Sequence, residues 1–355
     1  MDGDARELAT SRQQRVDAVL HRFFSLAKTR AAALGDRYLQ LWESLEASTT
    51  GGKRFRPRMV LASYSALGGE DEDAAATVGA AFELLHTALI VHDDVIDRDF
   101  TRRGMPNIAG SYRDLALLQG ASPLAAEHRG ISAAVIAGDL ALSAAHRLVE
   151  QSGVDDVVRS RLFALMDEAL FASAAGELID VEFAVSEGMP RVDDILAMER
   201  LKTAVYSFEC PLQAGAILAG ASEALVDTLG EFGREIGIAY QIVDDVLGVF
   251  GAEEITGKTT IGDLREGKRT VMISYATATP EWADVAEVFG RDDLSETDAA
   301  RIRATLIASG AKAFADGLAR YYGNRAVARL AEAHVPAALR EELAPVADSV
   351  LGRNR

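Results

Sequence analysis

The sequence predicts an all-α protein. Three observations carry that expectation. Ala and Leu dominate the composition, and proline is scarce, at 8 of 355 residues. Long stretches such as 73–96 and 154–185 also repeat apolar residues at spacings of three and four, the period of a helix buried along one face. With 49% hydrophobic residues the chain can bury a large core.

Residues 11–47 read as one or two amphipathic helices, ended by STTGGKRFRP, where Gly51 and Gly52 break the pattern and Pro57 restarts a helix. Helical pattern resumes to about Gly68. The stretch 73–98 predicts one long helix whose last turn carries Asp93, Asp94 and Asp97. The segment 100–130, with TRRGMPN and LLQGASPLAAEHRG, is expected to be a connection near a pocket mouth or dimer edge. Helices are expected over 131–151, 154–186 and 191–219, the last kinked near Pro211, and over 222–250, ending in Asp244 and Asp245. GAEEITGKTTIGDLREGKR, 251–269, has four glycines and reads as a functional loop. Further helices follow, with 279–297 more polar. No Pro/Ser-rich linker and no short tandem repeat divides the chain, so one domain over 1–355 is expected.

The net charge of -17 argues against a nucleic-acid binder, which needs a basic surface to meet phosphates. The single cysteine, Cys210, leaves no intramolecular disulfide and suits a reducing compartment. No basic segment followed by an apolar core opens the sequence, and no uninterrupted apolar run approaches the roughly 20 residues of a membrane span. A soluble, cytoplasmic protein without a membrane span is the expectation.

Asp93 and Asp97 stand four residues apart and so share a helix face, with Asp94 about 100° round. Like charges at that spacing repel. The cluster follows LLHTALIV, which must be buried, and DDVLG at 244–248 follows IGIAYQIV in the same way. Carboxylates emerging at the edge of an apolar wall call for a cation. Magnesium suits them, because it takes hard oxygen ligands, one or two carboxylates per site, and completes its shell with water and phosphate. Zinc does not, since no Cys/His set has its spacing. The two motifs are expected to face one cavity. His92, beside Asp93, reads as a structural group.

The motifs GGKRFRP (51–57), ELLHTALIVHDDVID (83–97), RRG (102–104), GD (138–139), KTAVYSF (202–208), YQIVDDVLGVFG (240–251) and TGK (256–258) occur together in one order. In that set, over roughly residues 15–350, the chain resembles the trans-isoprenyl diphosphate synthases, or polyprenyl synthetases, and most resembles geranylgeranyl diphosphate synthases of actinobacterial type. The resemblance implies the class I isoprenoid synthase bundle, helices around a central cavity, usually as a homodimer. It also implies magnesium, three ions per active site once diphosphate is bound, and head-to-tail condensation. An allylic diphosphate ionises, isopentenyl diphosphate attacks the carbocation, a proton is lost, and pyrophosphate leaves.

Carried over by position, the resemblance makes Asp93, Asp97 and Asp244 the direct metal ligands, with Asp94 and Asp245 as direct ligands or helpers. Arg102, Lys202, Lys258 and, more weakly, Lys268 would hold the allylic diphosphate. Such fixed positive charge around the leaving group is what ionisation needs. Thr203 and Gln241 would turn polar oxygens toward the cation. Lys53, Arg56, His86 and Arg103 would form a separate, metal-free site for isopentenyl diphosphate, where Arg offers a planar fork and Lys a point charge.

Gly248 stands where the family often has a third aspartate of the second motif, so that site is expected to be weaker in charge but active, and Gly248→Asp to leave turnover within about tenfold. One helical turn rises about 5.4 Å, close to one isoprene unit, so turns below the first aspartates can stop a growing chain. Ala88 and Leu89, where fifteen-carbon synthases commonly carry an aromatic, should let it pass. Phe82 or Leu85 would form the floor, with Leu142 contributing. A twenty-carbon product, geranylgeranyl diphosphate, is expected, with a farnesyl or longer-chain synthase as the alternative. A terpene cyclase would carry an Asn/Ser/Glu motif in place of DDVLG and has no use for GGKR. A non-catalytic regulatory subunit of a synthase would have lost motif aspartates or bases.

Overall fold

The computed structural model describes residues 2–51, 54–102, 104–251 and 260–352, with side chains from Thr10 onward. Three of the expected substrate-binding residues, Lys53, Arg103 and Lys258, lie outside the described residues. The predicted all-α class is observed: long helices account for the fold, and the strands among the described residues are two-residue pieces, β1 (Thr101–Arg102) and β2 (Met105–Pro106). By internal contacts the chain forms two compact units, residues 1–168 with 211–222, and residues 169–210 with 223–355.

In the first unit, α1 (Asp2–Ala32) and α2 (Asp36–Thr49) meet through Phe23, Phe24 and Trp42, whose ring centroids lie 5.4–6.4 Å apart. This edge-and-tilt geometry is the favourable one for aromatic pairs. Next comes α3 (Phe55–Ala66), and then α4 (Glu72–Ile96), started by Asp71, whose side chain accepts from the Ala74 N–H at 2.9 Å. Between Ala74 and Leu85 every residue of α4 but Thr77 is buried, because its many alanines let α1, α3 and α6 approach closely.

The segment 100–130 is more structured than the expected connection. β1 and β2 form a hairpin turning through Gly104, whose φ of 74° suits glycine. Helix α5 (Ile108–Leu118) follows, and α6 (Pro123–Glu150) begins eight residues before the predicted 131. The start signals are local. The Asn107 side chain accepts from the Gly110 N–H at 2.8 Å, and Ser122 caps α6 with Pro123 in its first turn. The glycines and prolines punctuate short elements here instead of marking one long loop.

Helix α7 (Asp156–Val185) contributes to both units. The segment expected as one helix kinked at Pro211 is in fact three pieces: α8 (Val192–Glu199), a π-helix (Arg200–Glu209) and α9 (Cys210–Leu218). A π-helix is wider than an α-helix and rare at this length. Glycines make room for it. A Cβ at Gly176 of α7 would lie 2.3 Å from the Lys202 nitrogen. One at Gly237 of α10 (Glu223–Phe250) would lie 2.6 Å from the Ala204 Cβ. Pro211, without an N–H to donate, falls at the return to α-helical turns.

The second unit packs α8, the π-helix and α10 against helices Val271–Thr277, Glu296–Ala308 and Ala311–Leu330, around a core that includes Ile195, Ile242, Val243, Met272, Ile302 and Ala315. Two helices, Glu72–Ile96 and Pro123–Glu150, are long and apolar enough to cross a membrane, although the apolar runs within them are interrupted by charged residues. The apolar window of the first is 78% buried in the protein, as befits a core helix, and that of the second 44%.

Candidate active site

The first acidic motif sits where α4 stops. Arg98 takes a left-handed backbone conformation, φ 58°, in the place a glycine usually fills. The Asp99 N–H donates to the Asp94 carbonyl at 2.8 Å and the Arg98 N–H to the Val95 carbonyl at 3.3 Å, the two bonds that close a helix of this kind. The chain therefore reverses at once, and β1 returns Arg102 to the aspartates. Its Nε and Nη2 donate to Asp94 Oδ1 at 2.8 and 2.5 Å, and Nη2 reaches Asp93 Oδ2 at 3.3 Å. Asp94 is buried, at 4% exposure. Burial raises its pKa, while the bonds and charge of Arg102 oppose that shift. Asp94 thus anchors Arg102, and Asp93, half-buried, and Asp97, exposed, are the carboxylates of this motif that face outward. His92 packs on Gly138 of α6, where a Cβ would lie 2.2 Å from its Nε2, and that nitrogen stands 3.5 Å from Asp139 Oδ1. The GD motif is therefore the seat of His92.

Of the residues expected to bind isopentenyl diphosphate, Arg56 and His86 are half-buried members of the first unit. The structure separates them from Arg54, which sequence reasoning passed over. Arg54 is 5% exposed and donates to the Thr49 carbonyl at 2.5 Å, Glu83 Oε1 at 3.1 Å and Asp17 Oδ1 at 3.0 Å. It ties α1, α2 and α4 together. The basic run is thus part framework and part candidate binding site.

In the second unit, the π-helix carries Lys202 and Thr203. Lys202 Nζ lies 2.7 Å from Asp180 Oδ2 and 3.0 Å from Glu177 Oε2, both on α7. Thr203 Oγ1 donates to Gln241 Oε1 at 3.1 Å, and Gln241 Nε2 donates to Asp245 Oδ1 at 2.9 Å. Thr203 and Gln241, expected to face the carbocation, here form a relay that orients Asp245. Lys268 Nζ lies 3.3 Å from the same Oδ1. Asp245 is buried, and that burial raises its pKa against the pull of Lys268; the charge of Asp245 in turn raises Lys268 well above its usual value. Asp244, next along α10, is half-buried.

The charge expected to be missing at Gly248 is supplied from elsewhere. A Cβ on Gly248 would lie 2.1 Å from Oδ2 of Asp263, on the short helix Gly262–Arg265. Asp263 occupies the space that a side chain at 248 would enter, and its charge acts on both Asp245 and Lys268. The signal was within the 251–269 segment but not in the motif itself.

Among the described residues no three His, Cys, Asp or Glu side chains gather into a metal-holding group. The donors present fit magnesium all the same. Asp93, half-buried, and Asp97, exposed, offer carboxylates at a helix end, and Mg²⁺ takes one or two carboxylates with water and phosphate oxygens completing its shell.

Of the expected length-determining residues, Phe82, Leu85, Ala88 and Leu89 lie on α4 and Leu142 on α6. Phe82, Leu85 and Ala88 are fully buried, while Leu89 and Leu142 are half-buried. At roughly 100° per residue, Leu89 and Phe82 fall within about 40° of Asp93, and Ala88 about 140° round.

The polyprenyl synthetase family pattern matches residues 40–306. A geranylfarnesyl diphosphate synthase of Aeropyrum pernix is 34% identical over 80% of this chain and 84% of its own length. A geranylgeranyl diphosphate synthase of Mycobacterium tuberculosis is 32% identical over 73% of this chain and 68% of its own. A crystal structure of geranylgeranyl pyrophosphate synthase from Corynebacterium glutamicum, complexed with isoprenyl diphosphate and magnesium, superposes with a TM-score of 0.89 at 29% identity, covering 96% of this chain and 98% of that one. With three quarters of its length matched, the chain belongs to the polyprenyl synthetase family.

Proposed function

We propose that the protein is a prenyltransferase that condenses isopentenyl diphosphate with an allylic diphosphate, releasing pyrophosphate and making geranylgeranyl diphosphate as its main product. The observation that carries the reading is the pairing of acidic and basic groups at both motifs, Asp93 and Asp94 with Arg102, and Asp245 with Lys268. A diphosphate with its cations uses both signs.

Asp93, Asp97 and Asp244 are the residues that would hold magnesium, as three ions per diphosphate. Bound there, magnesium supplies positive charge that stabilises pyrophosphate as a leaving group. Arg102 in the first unit, and Lys202 and Lys268 in the second, add fixed positive charge for diphosphate oxygens; each is held in place by a carboxylate, so little reorganisation is needed. Arg56 and His86, with Lys53 and Arg103, hold isopentenyl diphosphate apart from the metals, which keeps it from ionising. Lys258 joins the allylic set. The chain grows along α4, past Leu89 toward Phe82.

The protein acts as a homodimer in the cytoplasm. What supports the dimer is a set of exposed apolar side chains on α5 and α6: Leu117, Leu118, Leu124, Val135 and Ile136. Light scattering should give twice the chain mass. The test of the activity is incubation with Mg²⁺, isopentenyl diphosphate and, separately, dimethylallyl, geranyl and farnesyl diphosphates, followed by sizing of the products. Elongation of each primer to twenty carbons, abolished by EDTA, is expected. A product of another length would correct the length assignment, and no elongation would overturn the reading.

A further inference from the structure

Arg54 immediately precedes α3 and takes a left-handed backbone conformation, φ 47°, that residues other than glycine seldom adopt. Its carbonyl accepts the first bond of α3, from the Arg58 N–H at 3.1 Å, so the helix that carries Arg56 starts from it. Its side chain is 5% exposed. Nη1 alone donates to two other helices, at the Thr49 carbonyl on the last residue of α2 and at Glu83 Oε1 of α4.

A second contact joins α3 to α4. A Cβ at Gly79 would lie 3.1 Å from the Pro57 Cα, so α4 passes close under the first turn of α3. Gly79, Glu83 and His86 follow at spacings of four and three, on one face of α4. Arg56 falls between Arg54 and Pro57 in the chain, and His86 lies one turn past Glu83 on the face that both contacts use. The position of Arg56 relative to His86 is therefore set by how α3 begins on α4.

Holding the two helices together does not require an ion pair. Glu83 is 7% exposed and its Oε2 receives no hydrogen bond from any described group, so the burial of this carboxylate is only partly compensated. An apolar pair of similar volume is often as stable; what a buried ion pair adds is a fixed register.

We propose that Arg54 is a positioning residue of the isopentenyl diphosphate site: through Glu83 it fixes the start of α3 on α4, and so holds Arg56 at the distance from His86 that the diphosphate needs. This rests on the reading of Arg56 and His86 as that site. The guanidinium itself is taken up by Thr49, Glu83 and Asp17, and it acts on substrate through the residues it places.

The test measures kcat, the KM for each substrate with the other saturating, and the thermal midpoint. It uses the full-length protein and the variants Arg54→Lys, Glu83→Ala, Asp17→Asn and Arg56→Ala. Lysine keeps the charge of Arg54 but lacks the fork that holds Thr49 and Glu83 together. Arg54→Lys and Glu83→Ala should each raise the KM for isopentenyl diphosphate about tenfold, with kcat and the allylic KM within about threefold of the parent. The two changes combined should raise it no further than either alone, because both cut the same link. Asp17→Asn weakens the grip on α1 instead, and should lower the midpoint while leaving both KM values within about twofold. A KM for isopentenyl diphosphate within about twofold of the parent in both Arg54→Lys and Glu83→Ala overturns the proposal. So does a rise shared equally by the two substrates, or matched by Asp17→Asn, since that is what a loosened framework gives. If Arg56→Ala leaves the KM for isopentenyl diphosphate unaltered, the assignment of that site fails first, whatever Arg54 does.

Discussion

Replacing Gly248 by aspartate restores the fuller form of the second motif, and from sequence alone the change looks harmless. The structure gives it a cost. A Cβ at 248 would lie 2.1 Å from Asp263 Oδ2, where ordinary contact begins at 3.4 Å, so the Asp263 carboxylate must swing away by more than 1 Å. Because that atom is the free end of a side chain, the steric part is small. The electrostatic part is larger. Two carboxylates about 4 Å apart repel by roughly 4 kcal/mol at an effective dielectric of 20, and a bound divalent cation offsets most of that. The Gly248→Asp enzyme should therefore turn over within about tenfold of the parent at saturating Mg²⁺, yet lose more than about tenfold at limiting Mg²⁺, where 1.4 kcal/mol of unrelieved repulsion already suffices. Gly248→Ala, which carries only the steric change, should stay near parental rates at both concentrations. Adding Asp263→Asn to Gly248→Asp leaves one carboxylate in the shared space and should restore the parental Mg²⁺ dependence. Steady-state rates across a Mg²⁺ titration report all of this. If Gly248→Asp behaves as the parent at every Mg²⁺ concentration, Asp263 does not fill the place of the third aspartate.

Arg54→Met breaks a buried ion pair and strands Glu83, itself 7% exposed, so urea unfolding should show a loss of about 3–5 kcal/mol; a loss under about 1 kcal/mol would contradict the framework role given to Arg54. Leu89→Phe, on the Asp93 face, should shorten the main product by at least one isoprene unit, whereas Ala88→Phe should move it toward fifteen carbons and also destabilise the fold by about 1–3 kcal/mol through overpacking. An unchanged product distribution in both would remove α4 from length control. Gln241→Leu cuts the relay from Thr203 to Asp245 and should lower kcat about tenfold, with KM for isopentenyl diphosphate unaltered; a change confined to that KM would contradict the role given to Gln241.

Much of this was legible in the sequence, for reasons tied to particular residues. Helix α4 announces itself by period, and its terminal aspartates by their position after a run that must be buried. The π-helix does not: KTAVYSF reads as ordinary α-helix, and the cue lies in Gly176 and Gly237, on other helices, which only the folded chain brings alongside. Asp263 was hidden in the same way, 15 residues beyond Gly248 in a segment whose glycines and charges suggested only a loop. Arg54 and Glu199 carry no cue to their burial: a basic residue in GGKRFRP proves to be framework, and an acid in LAMERLK proves to be buried. Charge in a sequence says nothing by itself about which side of a helix will be covered; burial is decided by elements far along the chain.

The account rests most heavily on Asp244, the residue through which the second motif is held to act on the diphosphate. Turnover of Asp244→Ala, measured at saturating Mg²⁺ and both substrates with the fold verified by circular dichroism, tests it most directly. Loss of a magnesium ligand at the leaving group should remove about 4 kcal/mol or more of transition-state stabilisation, a fall of roughly 10³-fold. Turnover within about tenfold of the parent would contradict the assignment of Asp244, and with it the proposed use of the second acidic motif.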